Sequence, residues 1–217
     1  QAVNRLTGGD AARVAEIDEI GVFETEQAAN CFELLSKAGI PTAYVGRHSD
    51  HELLCRNCDM LPIEFVVRRY AFGSYLKRAP QFKTDGTPHR FDELVLEQFH
   101  KMSVVAAPVS DTAILMTEND ARDKYLADGA WADGVYTDPF IVTGDDAWKL
   151  YSAKAPVEGE ALTAIKPELS GEDLQTILDT IVRPTFDVLE QAWAKIETIH
   201  GPVTWVDAKF EIGIDRE

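Results

Sequence analysis

MLPIEFVVRRYAFGS, residues 60–74, is the stretch on which the reading of this chain turns. Its apolar run predicts a buried strand, yet it carries Glu64, Arg68 and Arg69 and runs into Gly73-Ser74. Successive strand side chains point to opposite faces, so Ile63, Phe65 and Val67 share one side and Glu64, Val66 and Arg68 the other. Buried charges are costly unless they are paired or meet a ligand. The residues alone leave two readings: a Glu64–Arg68 ion pair that locks strand register, or a polar wall that faces an anion. A guanidinium suits bidentate recognition of phosphate or carboxylate. A Gly-Ser turn adds backbone N–H groups and a hydroxyl.

The closing stretch WVDAKFEIGIDRE, residues 205–217, has the same character. Alternation puts Val206, Ala208, Phe210, Ile212 and Ile214 on one face and Asp207, Lys209 and Glu211 on the other. Taken alone, the charged face is either solvated or the second wall of one cleft. Two apolar strands that each carry mixed charges favour the cleft.

Composition narrows the partners. A chain of 217 residues buries enough surface, roughly 70–75% of the unfolded area, for one large domain or two lobes. With 21 basic against 37 acidic residues, net charge −16, there is no basic footprint for nucleic acid. A small anionic ligand needs only local Arg and Lys. The cysteines, Cys31, Cys55 and Cys58, give no disulfide framework and point to a reducing compartment. Cys55 and Cys58 form a CxxC with no second pair to complete a zinc site, so two strand cysteines is the simpler reading. No apolar run approaches the ~20 residues of a membrane span. QAVNRLTGGD lacks signal-peptide features, and a cytoplasmic location is expected.

The opening segment predicts a strand with a turn at Gly8-Gly9, where Asp10 sits. TEQAANCFELLSKAG places Ala28, Cys31, Phe32 and Leu35 on one helical face, with Gly39 at the C-terminal cap position. Strand, polar tip with His48 and His51, and strand follow; an exposed turn is a simpler account of that HxxH pair than a metal site. Residues 80–160 read as irregular, with one helix after the capping box that opens at Thr117. Residues 170–199 read as a long helix opened by Ser170 and Asp173 and interrupted near Pro184.

MLPIEFVVRRYAFGSYLKR resembles the signature of the SAICAR synthetase family, the phosphoribosylaminoimidazole-succinocarboxamide synthases of purine biosynthesis, and is closest in flavour to the eukaryotic-type branch. WVDAKFEIG is similar to the family's second signature, and TGGDAAR and AGIPTAY resemble its nucleotide-lobe segments. The resemblance covers roughly residues 3–101 and 138–215, with 102–137 as an insertion. Phe72, Trp205 and Ile212 depart from the usual residues. The family's Gly-Lys-x-Lys strand pair and the Asp-containing strand with basic residues after the second signature are not in this sequence; an active enzyme is expected to need them.

The resemblance implies an α+β fold with antiparallel sheets and flanking helices. Two lobes would enclose an ATP cleft, residues 1–60 being the remainder of the smaller nucleotide lobe and 61–217 the larger one. It implies an ATP- and Mg²⁺-dependent ligase joining L-aspartate to carboxyaminoimidazole ribotide through an acyl phosphate. Lys209 and Glu211 would be catalytic and face ATP. Arg68, Gly73, Ser74, Asp138 and Lys101 would bind substrate. Met60 and Leu61 would form the hinge that reads adenine, and Glu64 and Glu211 would meet metal. A homo-oligomer is compatible with this reading. The alternatives are another ATP-dependent small-molecule phosphotransferase on the same fold and a non-catalytic nucleotide-binding homologue. The motifs of a protein kinase are absent from the sequence.

Overall fold

The structure is a computed structural model that describes residues 2–8 and 13–216. The expected turn at Gly8-Gly9, with Asp10, falls outside the described residues apart from Gly8, the last residue of β1. A hairpin of β1 (Arg5–Gly8) and β2 (Arg13–Glu16) leads into α1 (Ile20–Lys37), then a hairpin of β3 (Tyr44–Ser49) and β4 (Glu52–Cys55). The long strand β5 (Cys58–Tyr70), the single turn α2 (Tyr75–Arg78) and β6 (Arg90–His100) follow. Next come β7 (Ser103–Val105), β8 (Ile114–Met116), α3 (Glu118–Tyr125), β9 (Leu126–Ala127), β10 (Ala130–Trp131) and β11 (Val135–Tyr136). The chain continues through β12 (Phe140–Val142), β13 (Trp148–Tyr151) and β14 (Thr163–Ile165) to α4 (Gly171–Ile177). A π-helical turn (Leu178–Val182), α5 (Arg183–Trp193), the short β15 (Glu197–Thr198) and β16 (Gly201–Pro202), and β17 (Asp207–Asp215) complete it.

Six strands form one antiparallel sheet in the order β14-β13-β12-β6-β5-β17, which confirms the α+β expectation. Residues 80–160 are not irregular as expected, for they supply three of these strands, β6, β12 and β13. Strands β12, β13 and β14 are only three or four residues long, too short to display an alternating pattern. The segment 102–137 builds its own three-stranded sheet, ordered β11-β7-β8, and α3.

The two faces of β5 separate as alternation requires. Ile63, Phe65 and Val67 are fully buried in the core with Leu178, Val182 and Phe186 of the helical layer. Arg69 turns to the same helices and grips Glu190 of α5 with two parallel bonds of 2.8 and 2.9 Å. Both N-caps form, Thr117 Oγ1 accepting from the Asp120 N–H and Ser170 Oγ from that of Asp173, while each hydroxyl donates to the same aspartate's carboxylate. The interruption expected near Pro184 takes the form of the π turn just before it, which shifts the hydrogen-bond ladder ahead of a residue with no N–H to give. The helix expected to reach residue 199 ends at Trp193, and Thr198 already pairs with Gly201.

Helix α1 closes with Gly39 at φ 77°, Gly39 N–H donating to the Ser36 carbonyl and Ile40 N–H to that of Leu35. This is the Schellman arrangement, and Leu35 and Ile40 pack together beneath it. At the other edge, β17 pairs Glu211 with Glu64 but Gly213 with Met60, so the register slips where Pro62 has no N–H for the ladder. The slip breaks the expected alternation, and Ile214 lies exposed instead of continuing the Phe210 face. A Cβ on Gly213 would lie 2.6 Å from Cys58 Cβ and 2.8 Å from Met60 Sδ. Gly213→Ala is therefore expected to cost about 1–3 kcal/mol through forced strand separation. A urea unfolding midpoint equal to that of the unaltered chain would refute it.

Candidate active site

The register that buries one face of β5 builds a polar floor on the other. Asp207, Lys209 and Glu211 of β17 lie beside Arg68, Val66 and Glu64, and Glu97 of β6 lies beside Val66 on the other flank. Glu64 and Arg68 project the same way but do not pair with one another. Arg68 Nε donates to Glu97 Oε2 at 2.7 Å and its Nη1 to Asp207 Oδ2 at 2.6 Å. Arg78, from α2, donates to the other oxygen of Glu97 and, at 2.7 Å, to the Ala153 carbonyl. Its guanidinium lies 4.8 Å from the Phe99 ring centre and 5.3 Å from that of Phe140.

Four charged groups meet at the other end of the floor. Lys101 Nζ lies 2.6 Å from Glu64 Oε1 and 3.1 Å from Glu211 Oε1, and Lys209 Nζ lies 3.0 Å from Glu64 Oε1. Burial favours the neutral Glu64 acid, but the two ammonium groups outweigh it and hold its pKa below the usual glutamate range. Burial likewise works against the Lys101 cation, and the two carboxylates overturn it, holding the amine well above ordinary lysine.

Two cavities flank this cluster. The first, about 410 Å³, is floored by Glu64, Arg68 and Lys209 and rimmed by Ser74, Lys77, Asp138 and Lys154. The second, about 300 Å³, lies between α1, the residues after it and the sheet edge, and is lined by Phe32, Met60, Phe210 and Glu211 among others. The cluster thus stands between them, Glu64 and Lys209 on one cavity and Glu211 on the other. Leu61 is half-buried beside Met60. Gly73 has φ 57°, and the exposed Ser74 hydroxyl makes no hydrogen bond to the described residues. Asp138 has φ 44°, and its buried Oδ1 has no partner. Cys55 and Cys58 are free thiols, and no cluster of three metal-ligating side chains, His48 and His51 included, occurs among the described residues.

Burial, reinforced by the Glu64 charge, lifts the Asp138 carboxyl to about 6. A raised folded-state pKa means stability present below the unfolded value and lost as pH climbs through about 6. Asp138→Asn is expected to gain stability relative to the parent at pH 7 and to lose that advantage at pH 4. Parallel denaturation profiles at the two pH values would refute this.

Sequence reasoning missed Glu97, Arg78 and the rim lysines. Alternation along FDELVLEQFH places Glu97 with Phe99 and offered a signal for the first. Arg78 lies within the quoted motif. Lys154 carried no signal, since only the fold brings its loop to the cavity.

Residues 1–125 match the sequence profile of the SAICAR synthetase family. This chain belongs to that family. SAICAR synthetase relatives match most of its length. It is 26% identical over 215 residues, 99% of this chain and 38% of the relative, to multifunctional protein ADE2 of Gallus gallus. It is 40% identical over 96 residues, 44% of this chain and 38% of the relative, to phosphoribosylaminoimidazole-succinocarboxamide synthase of Herpetosiphon aurantiacus. The chain spans 38% of the length of these two curated relatives. Two solved SAICAR synthetases share the fold. The type-1 crystal structure from Pyrococcus horikoshii OT3 gives a TM-score of 0.61 at 18% identity, covering 100% of this chain and 70% of that one. A type-2 form in complex with ADP gives 0.60 at 18% identity, covering 99% and 66%.

Proposed function

We propose that this chain carries the substrate cavity and part of the nucleotide site of an ATP-dependent ligase that joins L-aspartate to the carboxylate of carboxyaminoimidazole ribotide. The observation that supports this best is the charged cluster of Glu64, Lys101, Lys209 and Glu211 between two cavities. Phosphoryl transfer brings donor and acceptor oxygens in line at one point, with cations beside them to neutralise the charge, and a cation-bearing cluster where two cavities adjoin suits that need. The family's relatives carry the corresponding name, and one neighbour was solved with ADP. On this reading residues 1–60 belong to the nucleotide lobe and 61–217 to the larger one, with adenine near Met60 and Leu61. A purine-pathway ligase belongs in the cytoplasm; no helix among the described residues is long and apolar enough to cross a membrane.

The substrate carboxylate attacks the γ-phosphorus as ADP leaves, and the aspartate amine then displaces phosphate from the acyl carbon. Lys209 and Lys101 would neutralise the anions brought together in the first step, at positions already fixed by Glu64. Glu64 and Glu211 offer two hard oxygens that already converge on the Lys101 ammonium, a donor set suited to Mg²⁺ shared with substrate phosphates. When bound, that ion would neutralise charge on the transferring phosphoryl group. Asp138, which lines the first cavity, would accept a hydrogen bond from the incoming amine. Arg68, Gly73 and Ser74 would orient the ribotide.

The test is mass-spectrometric. Protein that carries this chain together with the family's Gly-Lys-x-Lys strand pair and the strand after the second signature is expected, given ATP, Mg²⁺, ribotide and L-aspartate, to give the succinocarboxamide and ADP, and a control without aspartate no succinocarboxamide. ADP formation indifferent to aspartate, with no succinocarboxamide, would overturn the ligase in favour of a phosphotransferase. Binding of ADP without turnover would favour the non-catalytic homologue.

A further inference from the structure

Strand β6 leaves the six-stranded sheet just after His100, and β7, in the three-stranded sheet, begins at Ser103. Lys101 and Met102 form the bend between them. Successive amides hold this bend. His100 N–H donates to the Pro139 carbonyl at 3.0 Å on one flank, and Lys101 N–H to the Pro62 carbonyl at 2.9 Å on the other. Both acceptors are prolines with no N–H to return, so the bonding on each flank is one-way there. The next donor, Met102 N–H, goes to a side chain: His100 Nδ1 accepts it at 3.1 Å.

That bond is the one use the structure makes of a costly group. The His100 side chain is 3% exposed, and a buried imidazole is a poor way to fill space that an apolar ring would fill. An imidazole that accepts at Nδ1 carries its proton on Nε2. His100 Nε2 makes no hydrogen bond among the described residues, and Glu168 Oε1 lies 3.7 Å from it. Burial holds the ring below the ordinary histidine range against the opposing pull of Glu168, which favours the neutral form that Nδ1 acceptance requires.

The bend matters because it carries Lys101. Lys209 lies opposite Val66 in the ladder, and Glu64 lies opposite Glu211 and Phe99, so strand pairing sets where these side chains start. Of the four charged residues in the cluster, Lys101 is the one outside a strand. A lysine stem is flexible, so its ammonium goes where the backbone aims it. Lys101 Nζ nevertheless meets both Glu64, at 2.6 Å, and Glu211, at 3.1 Å.

We propose that His100 is a positioning residue: its Nδ1 clasps the Met102 N–H and so fixes the bend from which Lys101 reaches Glu64 and Glu211. The consequence for turnover rests on the ligase reading, in which Lys101 neutralises charge during phosphoryl transfer.

Three substitutions separate the parts of the ring. His100→Asn places Oδ1 as many bonds from Cα as Nδ1, and side chains of this kind bond readily to the N–H two residues on. His100→Gln reaches the Nε2 position instead, and His100→Phe keeps the volume without an acceptor. In the whole chain, the Met102 amide is expected to exchange about 10-fold faster in the Gln and Phe variants than in the parent, the factor for one ordinary hydrogen bond. The NMR signal of the Lys101 ammonium, sharp while carboxylates hold it, should broaden in both. His100→Asn should keep both signals, although it vacates most of the ring and is the least stable of the three. In the turnover assay, with the longer protein used there, Gln and Phe should lower kcat roughly 10- to 100-fold with little change in KM, as for a charge displaced by about 1 Å. The Asn variant should stay near the parent. A merely structural histidine gives the opposite order, with activity following stability and Asn worst, and that order would overturn the proposal. Parental Met102 exchange or a parental Lys101 signal in the Gln and Phe variants would overturn it as well. Glu168→Gln, which alters only the Nε2 side, should leave every readout parental; a loss there would move the role to Nε2 and overturn the clasp. No succinocarboxamide from the unsubstituted protein would count against the ligase reading, and the two NMR signals then decide the clasp: both altered in Gln and Phe sustains it, and either unaltered overturns it.

Discussion

Glu97→Ala should destabilise the chain by about 3–5 kcal/mol, because it strands a buried guanidinium. Glu97 is the shared acceptor of Arg68 and Arg78, and all three side chains are at most 5% exposed. After the substitution Arg68 keeps Asp207, while Arg78 keeps only the Ala153 carbonyl. The cost therefore falls mainly on Arg78. Glu97→Gln should cost less, since the amide oxygen still accepts one bond. Glu97→Leu combined with Arg78→Met should recover most of the loss, as apolar replacements of buried ion pairs commonly do. Urea denaturation of the four proteins tests this. A Glu97→Ala midpoint matching the parent would mean that water reaches the network.

Glu64→Gln should reduce succinocarboxamide formation by about 10²–10³-fold with a far smaller loss of stability. Glu64 is the hub of the cluster, since its single Oε1 anchors both Lys101 and Lys209. The amide preserves shape and one acceptor, but it removes the charge that fixes two ammonium groups between the cavities. Lys101 would be left with Glu211, which is half exposed, so its amine should titrate at lower pH than in the parent. That shift, read by NMR of the lysine side chain, is independent of turnover. Near-parental turnover together with an unmoved Lys101 titration would sink the role of Glu64.

Much of the site was legible because strand alternation is a local rule. Once residues 60–70 are read as a strand, Glu64 and Arg68 must share a face, and the same rule places Lys209 with Glu211. Two charged faces in apolar strands already suggested a common cleft. Alternation has no access to pairing, however. It left a Glu64–Arg68 ion pair open, whereas each residue finds its partners on neighbouring strands, Glu64 at Lys101 and Lys209 and Arg68 at Glu97 and Asp207. The residues that choose between those partners lie 29 to 145 positions away in sequence.

The sequence by itself determined the family, through two long motifs in order, and the local devices whose hydrogen bonds close within a few residues. The Schellman cap at Gly39 and the N-caps at Thr117 and Ser170 are of that kind. Tertiary structure alone decided three things. It recruited β12, β13 and β14 to the sheet, strands too short to show a period and held by their neighbours. It broke the β17 alternation at Gly213, because the partner strand has a proline there. It carried Lys154 to the cavity rim through a loop held by Arg78. In each case the deciding interaction joins residues distant in the chain, and no local pattern encodes a partner that only folding brings near.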